Sequence, residues 1–387
     1  MSTQRVPDSL QNAPRKSGKK TDKPGITIVA NTGRLAAADS CIDGPPQVKG
    51  TIRGLVASVT LVWLAGPACT VHNIECAQNA GICEGSLLAS LYLQSVTPTI
   101  MLGDSAGNIF LSYDGRSWTG PIVNFNGSAI SSIIYANGRF WASTVATMVS
   151  IYYSTDGISW SSTNTGLGSA ARQGGLAYGK GLFVTGGGGG PSLHYSQDGL
   201  SWTGSTDPEG SVVPFQTIES ITFVGNTFAG GEDAGGQFMF ASDGIDWVNG
   251  CSSTALPSEI TYHKGSFYSG DTGVINIGVV GGGACATVSA VTGIQTMGSN
   301  GDQLLASGTG GVIYRSSDAI NWSANLSPGG SNTMETTSLA DPRVSIIAGQ
   351  NATYYLSGDG GYNWSGPYTV PGAANIQASF VKAGFPY

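Results

Sequence analysis

Charged residues are scarce in this sequence. Lys, Arg, Asp and Glu make up 11% of its 387 residues, against about 25% in an average soluble domain. Only 3 residues are His, which leaves little material for a metal centre or a catalytic triad. The longest apolar run, residues 54–68, is shorter than the roughly 20 residues of a membrane-spanning helix, so we predict no membrane association. No apolar stretch follows Met1, which argues against a secretory signal.

Glycine and aromatic residues, by contrast, are abundant. Gly occupies 59 positions, roughly twice its usual share. Hydrophobic residues make up 40% of the chain and include 8 Trp and 15 Tyr, a composition too rich for a disordered protein. Many turn formers beside few helix formers favour an all-β protein built from short strands and tight turns.

The charge is unevenly placed along the chain. Residues 1–24 contain six basic and two acidic side chains, a net charge of +4, so the remainder carries −11 to reach −7. We interpret residues 1–50 as an extended basic N-terminal arm and residues 51–387 as the folded domain. The arm is either a solvated tail or a segment that orders against a partner protein or nucleic acid. Its predicted partner-binding residues are Arg15, Lys16, Lys19, Lys20 and Lys23.

The six cysteines predict no disulfide framework. Without a secretory signal, buried free thiols are the expected state. Cys69, His72, Cys76 and Cys83 lie close together, but their spacing matches no familiar zinc pattern. We therefore predict no metal site and no cofactor.

One short motif recurs along most of the chain. It reads Ser-x-Asp-Gly-x-x-Trp or a near variant, as in STDGISW at residues 154–160. Its tryptophans lie 42, 42, 45, 75 and 42 residues apart. Asp accepts hydrogen bonds from nearby backbone N–H groups, Gly supplies a positive φ and Trp packs the hairpin, so the motif indicates a turn between two strands. The repeated residues are Asp114, Trp118, Asp156, Trp160, Asp198, Trp202, Asp243, Trp247, Asp318, Trp322, Asp359 and Trp364.

The repeat period predicts a β-propeller of four-stranded blades. A short apolar strand precedes each motif, and one further copy fills the gap of 75 residues, with its motif lost near residues 281–285. Counting residues 62–65 as another copy gives eight strands of this type, so we favour eight blades. Seven blades, with residues 51–85 as a separate cap, are the alternative, and a stacked β-solenoid is third. A surplus strand at residues 376–381 is predicted to close the ring.

These motifs resemble the Asp-box, or BNR repeat, whose usual form is Ser-x-Asp-x-Gly-x-Thr-Trp. SGDGGYNW at residues 357–364 has the full spacing, and the other copies are one residue shorter. The resemblance implies a propeller in which the boxes lie on hairpins at the blade periphery. It therefore implies a structural role for the box residues, and we predict no catalytic residue among them.

Sialidases and related glycosidases also carry Asp-boxes. Such an enzyme needs an arginine cluster for the substrate carboxylate, together with a nucleophile and a general acid. The early Arg-Ile-Pro-type motif of sialidases does not appear, and no glutamate stands in a familiar pattern. A glycosidase is therefore the less favoured reading. The arginines available to the folded domain are Arg53, Arg116, Arg139, Arg172, Arg315 and Arg343.

A Gly-, Ser- and Thr-rich all-β body with a basic arm is similar to the virion structural proteins of tailed bacteriophages. This resemblance, one of composition and architecture, implies a non-enzymatic tail or head-tail component that is assembled in the host cytoplasm. The expected partners are other virion proteins and further copies of the chain in a ring or symmetric assembly. The alternative is a propeller that binds a carbohydrate or receptor on the host surface.

Overall fold

The chain divides into two compact units, residues 1–91 and residues 92–387. In the first unit, β1 (Ser58–Ala65) pairs with β2 (Ala68–Glu75) in an antiparallel hairpin. The basic arm lies outside the described residues, so its predicted contacts stay predictions. The computed structural model describes residues 58–65, 68–75, 98–145, 150–164, 175–187, 192–205, 218–232, 236–253, 259–270, 274–288, 291, 293–323, 325–341 and 343–383.

The described strands of the second unit form seven antiparallel sheets. The first sheet has the order β29-β3-β4-β5 and comprises β3 (Pro98–Asp104), β4 (Asn108–Ser112), β5 (Thr119–Asn124) and β29 (Ile376–Ala383). The second sheet comprises β6 (Ile130–Ala136), β7 (Arg139–Thr144), β8 (Ser150–Ser154) and β9 (Ser161–Asn164). The third comprises β10 (Leu176–Gly179), β11 (Leu182–Gly186), β12 (Leu193–Ser196) and β13 (Thr203–Gly204). The fourth comprises β14 (Ile218–Val224), β15 (Thr227–Glu232), β16 (Gln237–Ala241) and β17 (Trp247–Ser252).

The remaining three sheets follow in chain order. The fifth sheet comprises β18 (Ile260–His263), β19 (Ser266–Gly270), β20 (Ile275–Gly278) and β21 (Ala286–Val288). The sixth comprises β22 (Ile294–Ser299), β23 (Leu304–Gly308) and β24 (Ile313–Ser316). The seventh comprises β25 (Met334–Asp341), β26 (Val344–Gly349), β27 (Thr353–Ser357) and β28 (Ser365–Thr369). Two short 3-10 turns, Thr309–Gly311 and Gln350–Ala352, precede β24 and β27. No helix in the described part of the chain is long and apolar enough to cross a bilayer.

The prediction of eight blades is wrong, because the described chain forms seven. Residues 62–65, counted as the eighth copy, lie in β1, which pairs with β2 rather than in a four-stranded sheet. The first blade instead begins at Pro98. Chain length misled the count, because the seven described sheets already extend over residues 98–383.

Apolar packing between neighbouring sheets forms the core. Trp141 and Ile151 of the second sheet, for example, pack with Leu176 and Phe183 of the third. Seven such clusters occur in the described residues, and one contains Ile100 of the first sheet together with side chains of the last. Each sheet therefore packs between two neighbours. This explains why the middle strands are apolar on both faces, whereas an outer strand such as β5 is largely exposed.

The turns that follow the first and third strands of each sheet lie at the same end of the sheet, because the four strands alternate in direction. We call this end of the unit the turn face. Side chains there join consecutive sheets: Lys180 Nζ donates to Ser242 O at 2.6 Å and Lys264 Nζ to Ser317 O at 2.9 Å. Asn300 Nδ2 donates in the same way to Gly360 O at 2.9 Å. The turn after the first strand of one sheet thus contacts the turn after the third strand of the next sheet.

In five of the six turns, a glycine of the repeated motif packs against the preceding sheet, and Ala319 takes this position in the sixth. At Gly199, with φ of +74°, an added Cβ would come within 2.3 Å of the Trp141 ring. An equivalent approach occurs at Gly157, where a Cβ would meet Met101 at 2.5 Å. Glycine suits this position because it adopts the turn conformation without strain and leaves room for the close approach of two sheets.

The expectation of free thiols is also wrong for one pair, because Cys251 and Cys285 form a disulfide with a Cα–Cα distance of 4.9 Å. Cys251 lies on β17, and Cys285 directly precedes β21 of the next sheet, in the connection where the repeated motif is missing. The Cys285 N–H donates to Ser252 O at 2.8 Å, and the Cys251 N–H donates to Val279 O at 3.0 Å. The 34-residue separation, close to one repeat, brings the two thiols together.

Replacing Gly199 by Ala tests the packing between sheets. At Gly181, with φ of +80°, an added Cβ meets no atom within 4 Å, so Gly181→Ala reports the backbone strain alone. We expect Gly181→Ala to lower the free energy of unfolding by about 1–2 kcal/mol, and Gly199→Ala by about 2–4 kcal/mol because the Trp141 ring must also move. Urea denaturation followed by Trp fluorescence measures both. Equal losses would contradict the proposed role of the close approach.

Candidate functional site: the central channel

The repeated turns use their polar side chains on their own backbone. In the second sheet, Asp156 Oδ1 accepts hydrogen bonds from the N–H groups of Ile158 at 2.8 Å and Ser159 at 2.7 Å. Ser154 Oγ donates to Asp156 Oδ1 at 2.8 Å and accepts from the Gly157 N–H at 2.8 Å. The backbone donors hold the pKa of Asp156 at about 2, below its ordinary 3.8. Each aspartate of the motif accepts an equivalent pair of N–H groups: Asp114, Asp156, Asp198, Asp243, Asp318 and Asp359.

The motif tryptophans also bond within the fold. The indole N–H donates to the carbonyl of the residue three positions earlier in five of the six turns, at Trp160, Trp202, Trp247, Trp322 and Trp364. Trp118 instead donates to Tyr354 Oη of the last sheet at 3.0 Å. The twelve residues of the motif lie on six different sheets, so the structure does not bring them together into one site.

The described arginines are likewise separated. Arg116 lies over the Tyr368 ring, with 5.8 Å between the guanidinium carbon and the ring centroid. Arg139 and Arg315 make similar contacts, with Tyr153 at 5.3 Å and Tyr362 at 4.5 Å. These stacked guanidinium groups start from three different sheets and do not form the cluster that a sialidase-like site needs. Arg53 and Arg172 lie outside the described residues.

The first strands of the sheets surround a central channel, which contains a cavity of about 340 Å³. Glu259, Ser132 and Thr336 line it near the start of these strands, and Tyr178 and Phe223 line it near the end. In each sheet, the register between the first and second strands shows which residue of the first strand lies at the same height along the channel as Glu259. The residues at this level are Ser132, Gly175, Ser220, Glu259, Thr296, Thr336 and Ala378. Glu259 is the only ionisable residue at that level, so the channel combines a carboxyl group with hydroxyls and aromatic rings.

Hydroxyl groups join the sheets around the channel. Thr296 Oγ1 donates to Glu259 Oε2, which lies just before β18 in the preceding sheet. Thr296 Oγ1 also lies 2.9 Å from Thr337 Oγ1, and Thr336 Oγ1 lies 2.9 Å from Ser379 Oγ. These contacts connect four consecutive sheets, from the fifth through the seventh to the first. Because a single hydroxyl proton serves each Ser or Thr, Thr337 donates to Thr296 when Thr296 donates to the carboxylate.

Two glutamates on or beside the first strands have pKa values above their ordinary range. Burial raises the pKa of Glu259 from 4.5 to about 7, although hydrogen bonds from Thr296 and the Met297 backbone oppose the shift. Burial also raises the pKa of Glu335, which accepts a hydrogen bond from Gln377 Nε2 at 3.5 Å. Both side chains are half-buried, and Glu259 lines the cavity. A carboxyl group with this pKa can exchange a proton near neutral pH.

The sequence analysis did not single out Glu259 as a site residue. Alignment of the first strands offers the missing signal, because six of the seven sheets carry Ser, Thr, Gly or Ala at its level. In the described residues, no group of three His, Cys, Asp or Glu side chains could hold a metal ion. The side chains of Cys69, His72, Cys76 and Cys83 fall outside that part of the structure.

Comparisons with known proteins support the architecture. No protein-family model and no curated protein matches the sequence. Among solved structures, the chain is similar to YCF48 bound to D1 peptide, with 17% identity and a TM-score of 0.50 over 66% of this chain and 92% of the other. YCF48 from Cyanidioschyzon merolae shows 15% identity and a TM-score of 0.50 over 66% and 95%. Apo AztD from Citrobacter koseri shows 10% identity and a TM-score of 0.50 over 75% and 99%. These likenesses show the fold alone, and the chain is a β-propeller with seven blades.

Replacing Glu259 by Gln tests the electrostatics of the channel. Because folding raises the pKa of Glu259, its stabilising contribution is complete below about pH 4.5 and is lost as the pH rises to about 7. Gln keeps a hydrogen-bonding group but cannot ionise. We expect Glu259→Gln to be more stable than the wild type by about 1–2 kcal/mol at pH 8, a value reduced for partial solvent contact. Urea denaturation at pH 4.5, 6 and 8 measures the difference.

The exposed Asp302 provides the control, because Asp302→Asn removes one negative charge outside the channel. Its stability difference from the wild type should not follow the same course between pH 4.5 and 7. A Glu259→Gln difference that stays constant over this range would show that burial does not govern the ionisation of Glu259.

Proposed function

We propose that the protein is a non-enzymatic assembly component, a rigid propeller that joins further copies of itself through the turn face. The observation that carries this proposal is the placement of exposed apolar residues. Every large hydrophobic side chain that is exposed in the described residues lies at or beside a turn of this face: Tyr113, Ile158, Leu200, Val224, Val248, Val279, Val280, Ile320 and Tyr362. The opposite end of the blades presents none within the same residues.

The pattern supports an interface because it follows the repeat. Single exposed apolar residues are common on soluble proteins and need no explanation. Here, however, four turns carry an exposed apolar residue at the same position, two residues before the motif tryptophan. These residues and their exposed fractions are Ile158 (57%), Leu200 (39%), Ile320 (66%) and Tyr362 (45%). Val280, 68% exposed, stands at the corresponding turn of the blade that lacks the motif. A face with apolar groups around its circumference suits contact with a second, similarly arranged surface.

Within this proposal, the turns are degenerate Asp-boxes and the assembly is a tailed-bacteriophage virion. Low charge, abundant Gly and the basic arm carrying Arg15, Lys16, Lys19, Lys20 and Lys23 support that setting. The arm would dock the propeller to neighbouring virion proteins through charge contacts. The setting rests on composition rather than on the structural likenesses. Immunogold labelling of phage particles encoding the protein tests it: labelling at the tail or the head-tail junction supports the assignment, and unlabelled particles contradict it.

A ligand-binding propeller is the second candidate. The channel places hydroxyl groups and the aromatic rings of Tyr178 and Phe223 around one cavity, an arrangement that suits a carbohydrate or another small polar ligand. YCF48, a propeller of similar fold, is known with D1 peptide bound. A sialidase-like glycosidase is the third candidate, and the separation of the described arginines speaks against it.

We also infer that the C-terminal strand closes the ring. β29 pairs with β3 over residues 376–383, and its buried Ile376 and Val381 pack with residues of the last blade. The Val381 N–H donates to Ser338 Oγ of the last blade at 3.1 Å. The first blade thus combines β29, from the C-terminal part of the unit, with β3, β4 and β5 from its N-terminal part. Through β29, it contacts the last blade.

Two new charges on the turn face should disrupt self-assembly. We expect the double variant Ile158→Asp/Ile320→Asp to shift the purified protein from an oligomer to a monomer, because each carboxylate would have to lose water in the interface. Multi-angle light scattering measures the mass. The matched control, Asn126→Asp/Ser331→Asp, adds the same charge at exposed positions on the opposite end of the blades and should leave the oligomer intact. A monomeric wild-type protein, or equal dissociation of both variants, would contradict assembly through this face.

Removal of the C-terminal strand tests ring closure. We expect a chain that ends at Asn375 to lose its cooperative thermal unfolding, because deletion exposes the edge of β3 and removes Ile376 and Val381 from the core. A synthetic peptide of residues 374–387 should restore a cooperative transition when added in trans. Circular dichroism during heating measures both effects. A truncated chain with an unchanged transition would show that β29 does not close the ring.

A further inference from the structure

The two ends of the channel cavity are lined by different types of side chain. Glu259 and hydroxyls such as Ser132 and Thr336 line the end where the first strands begin. Tyr178 and Phe223 line the end where they finish, beside the turn face. The cavity of about 340 Å³ connects these two environments. It is therefore suited to a ligand with one polar end and one apolar end.

The carboxyl group of Glu259 has hydrogen-bonding capacity left over. An ionised carboxylate accepts about four hydrogen bonds, and Thr296 Oγ1 and the Met297 backbone supply two donors. No Lys, Arg or His is among the residues that line the cavity. The carboxyl group is thus desolvated by the blades without a cationic partner from the lining, and a ligand cation would provide both the missing donors and the missing charge.

We propose that the channel binds a primary alkylammonium group, with the ammonium nitrogen on Glu259 and the alkyl chain against the rings of Tyr178 and Phe223. An ammonium carries three donors on one compact atom, which matches a carboxylate surrounded by hydroxyl oxygens. A metal ion fits less well, because Glu259 belongs to no described group of three metal-binding side chains. The site goes beyond the assembly role and does not depend on it.

The charged groups near the channel fix the orientation of the ligand. Glu335 on β25 and Glu219 on β14 lie near the start of the first strands, on the same side as Glu259. At the other end, Lys382 Nζ lies 3.7 Å from the Tyr135 ring centroid. That ammonium group already occupies one aromatic face and repels a second cation there. The ligand ammonium is therefore directed toward Glu259 and the alkyl chain toward the aromatic end.

Binding should also release a proton. Burial keeps Glu259 partly protonated near neutral pH, and an adjacent cation favours its ionised form. Complex formation at pH 7 is therefore coupled to loss of the Glu259 proton to the buffer. A neutral ligand of the same size would cause no such release.

Isothermal titration calorimetry of the full-length protein with n-butylammonium at pH 7 tests the site. We expect binding to the wild type and to Asp302→Asn, a loss of affinity of about tenfold or more in Glu259→Gln, and a proton release seen by comparing buffers of different ionisation enthalpy. Neutral n-butanol should bind at least tenfold more weakly. Matching circular dichroism spectra would show that Glu259→Gln retains the fold. Absence of n-butylammonium binding, equal affinity in Glu259→Gln, or equally tight binding of n-butanol would overturn the proposal.

A competition experiment distinguishes two sources of the same chemistry. A synthetic peptide of residues 15–24 presents four lysine side chains of the basic arm. Displacement of bound n-butylammonium by this peptide would support the site with a lysine side chain as its ligand. Binding of n-butylammonium without displacement would support the site with a free amine as its ligand.

Discussion

Each blade of this propeller buries both of its faces against neighbouring blades, so no blade has a complete core of its own. The seven apolar clusters all lie between consecutive sheets, and one joins the last sheet to the first. Hydrophobic burial, the dominant favourable term in folding, therefore becomes available only as blades come together. The repeated turn follows from this constraint, since its glycine admits side chains such as Trp141 from the preceding blade.

The sequence predicts the blade better than the number of blades. Turn chemistry recurs at a period near 42 residues, so the strands around Asp156 or Asp198 follow from local rules. The blade count depends on whether residues 62–65 join a four-stranded sheet, which is decided by long-range pairing. The Cys251–Cys285 disulfide was missed for the same reason: its cysteines become neighbours only when two blades pack.

The two surfaces to which we assign proposed contacts with other molecules are the turn face and the channel. In the repeated turns, the aspartate carboxylates accept hydrogen bonds from backbone N–H groups of the same turn. Apolar side chains such as Ile158 and Ile320 are exposed in these turns. At the level of Glu259 in the channel, the first strands of the other six sheets carry Ser, Thr, Gly or Ala. Neither surface could be predicted from one repeat, because each arises from the alignment of all seven.

The central claim is that the seven blades stabilise one another as a ring, and amide hydrogen exchange with peptide-level mass spectrometry tests it most directly. The account predicts that the slowest-exchanging amides of β3, β7, β11, β15, β19, β23, β26 and β29 share one opening free energy, because opening any blade exposes the faces of its two neighbours. It also predicts that this value equals the global free energy of unfolding. A single blade whose middle strand exchanges at a much lower free energy while the others stay protected would contradict the claim.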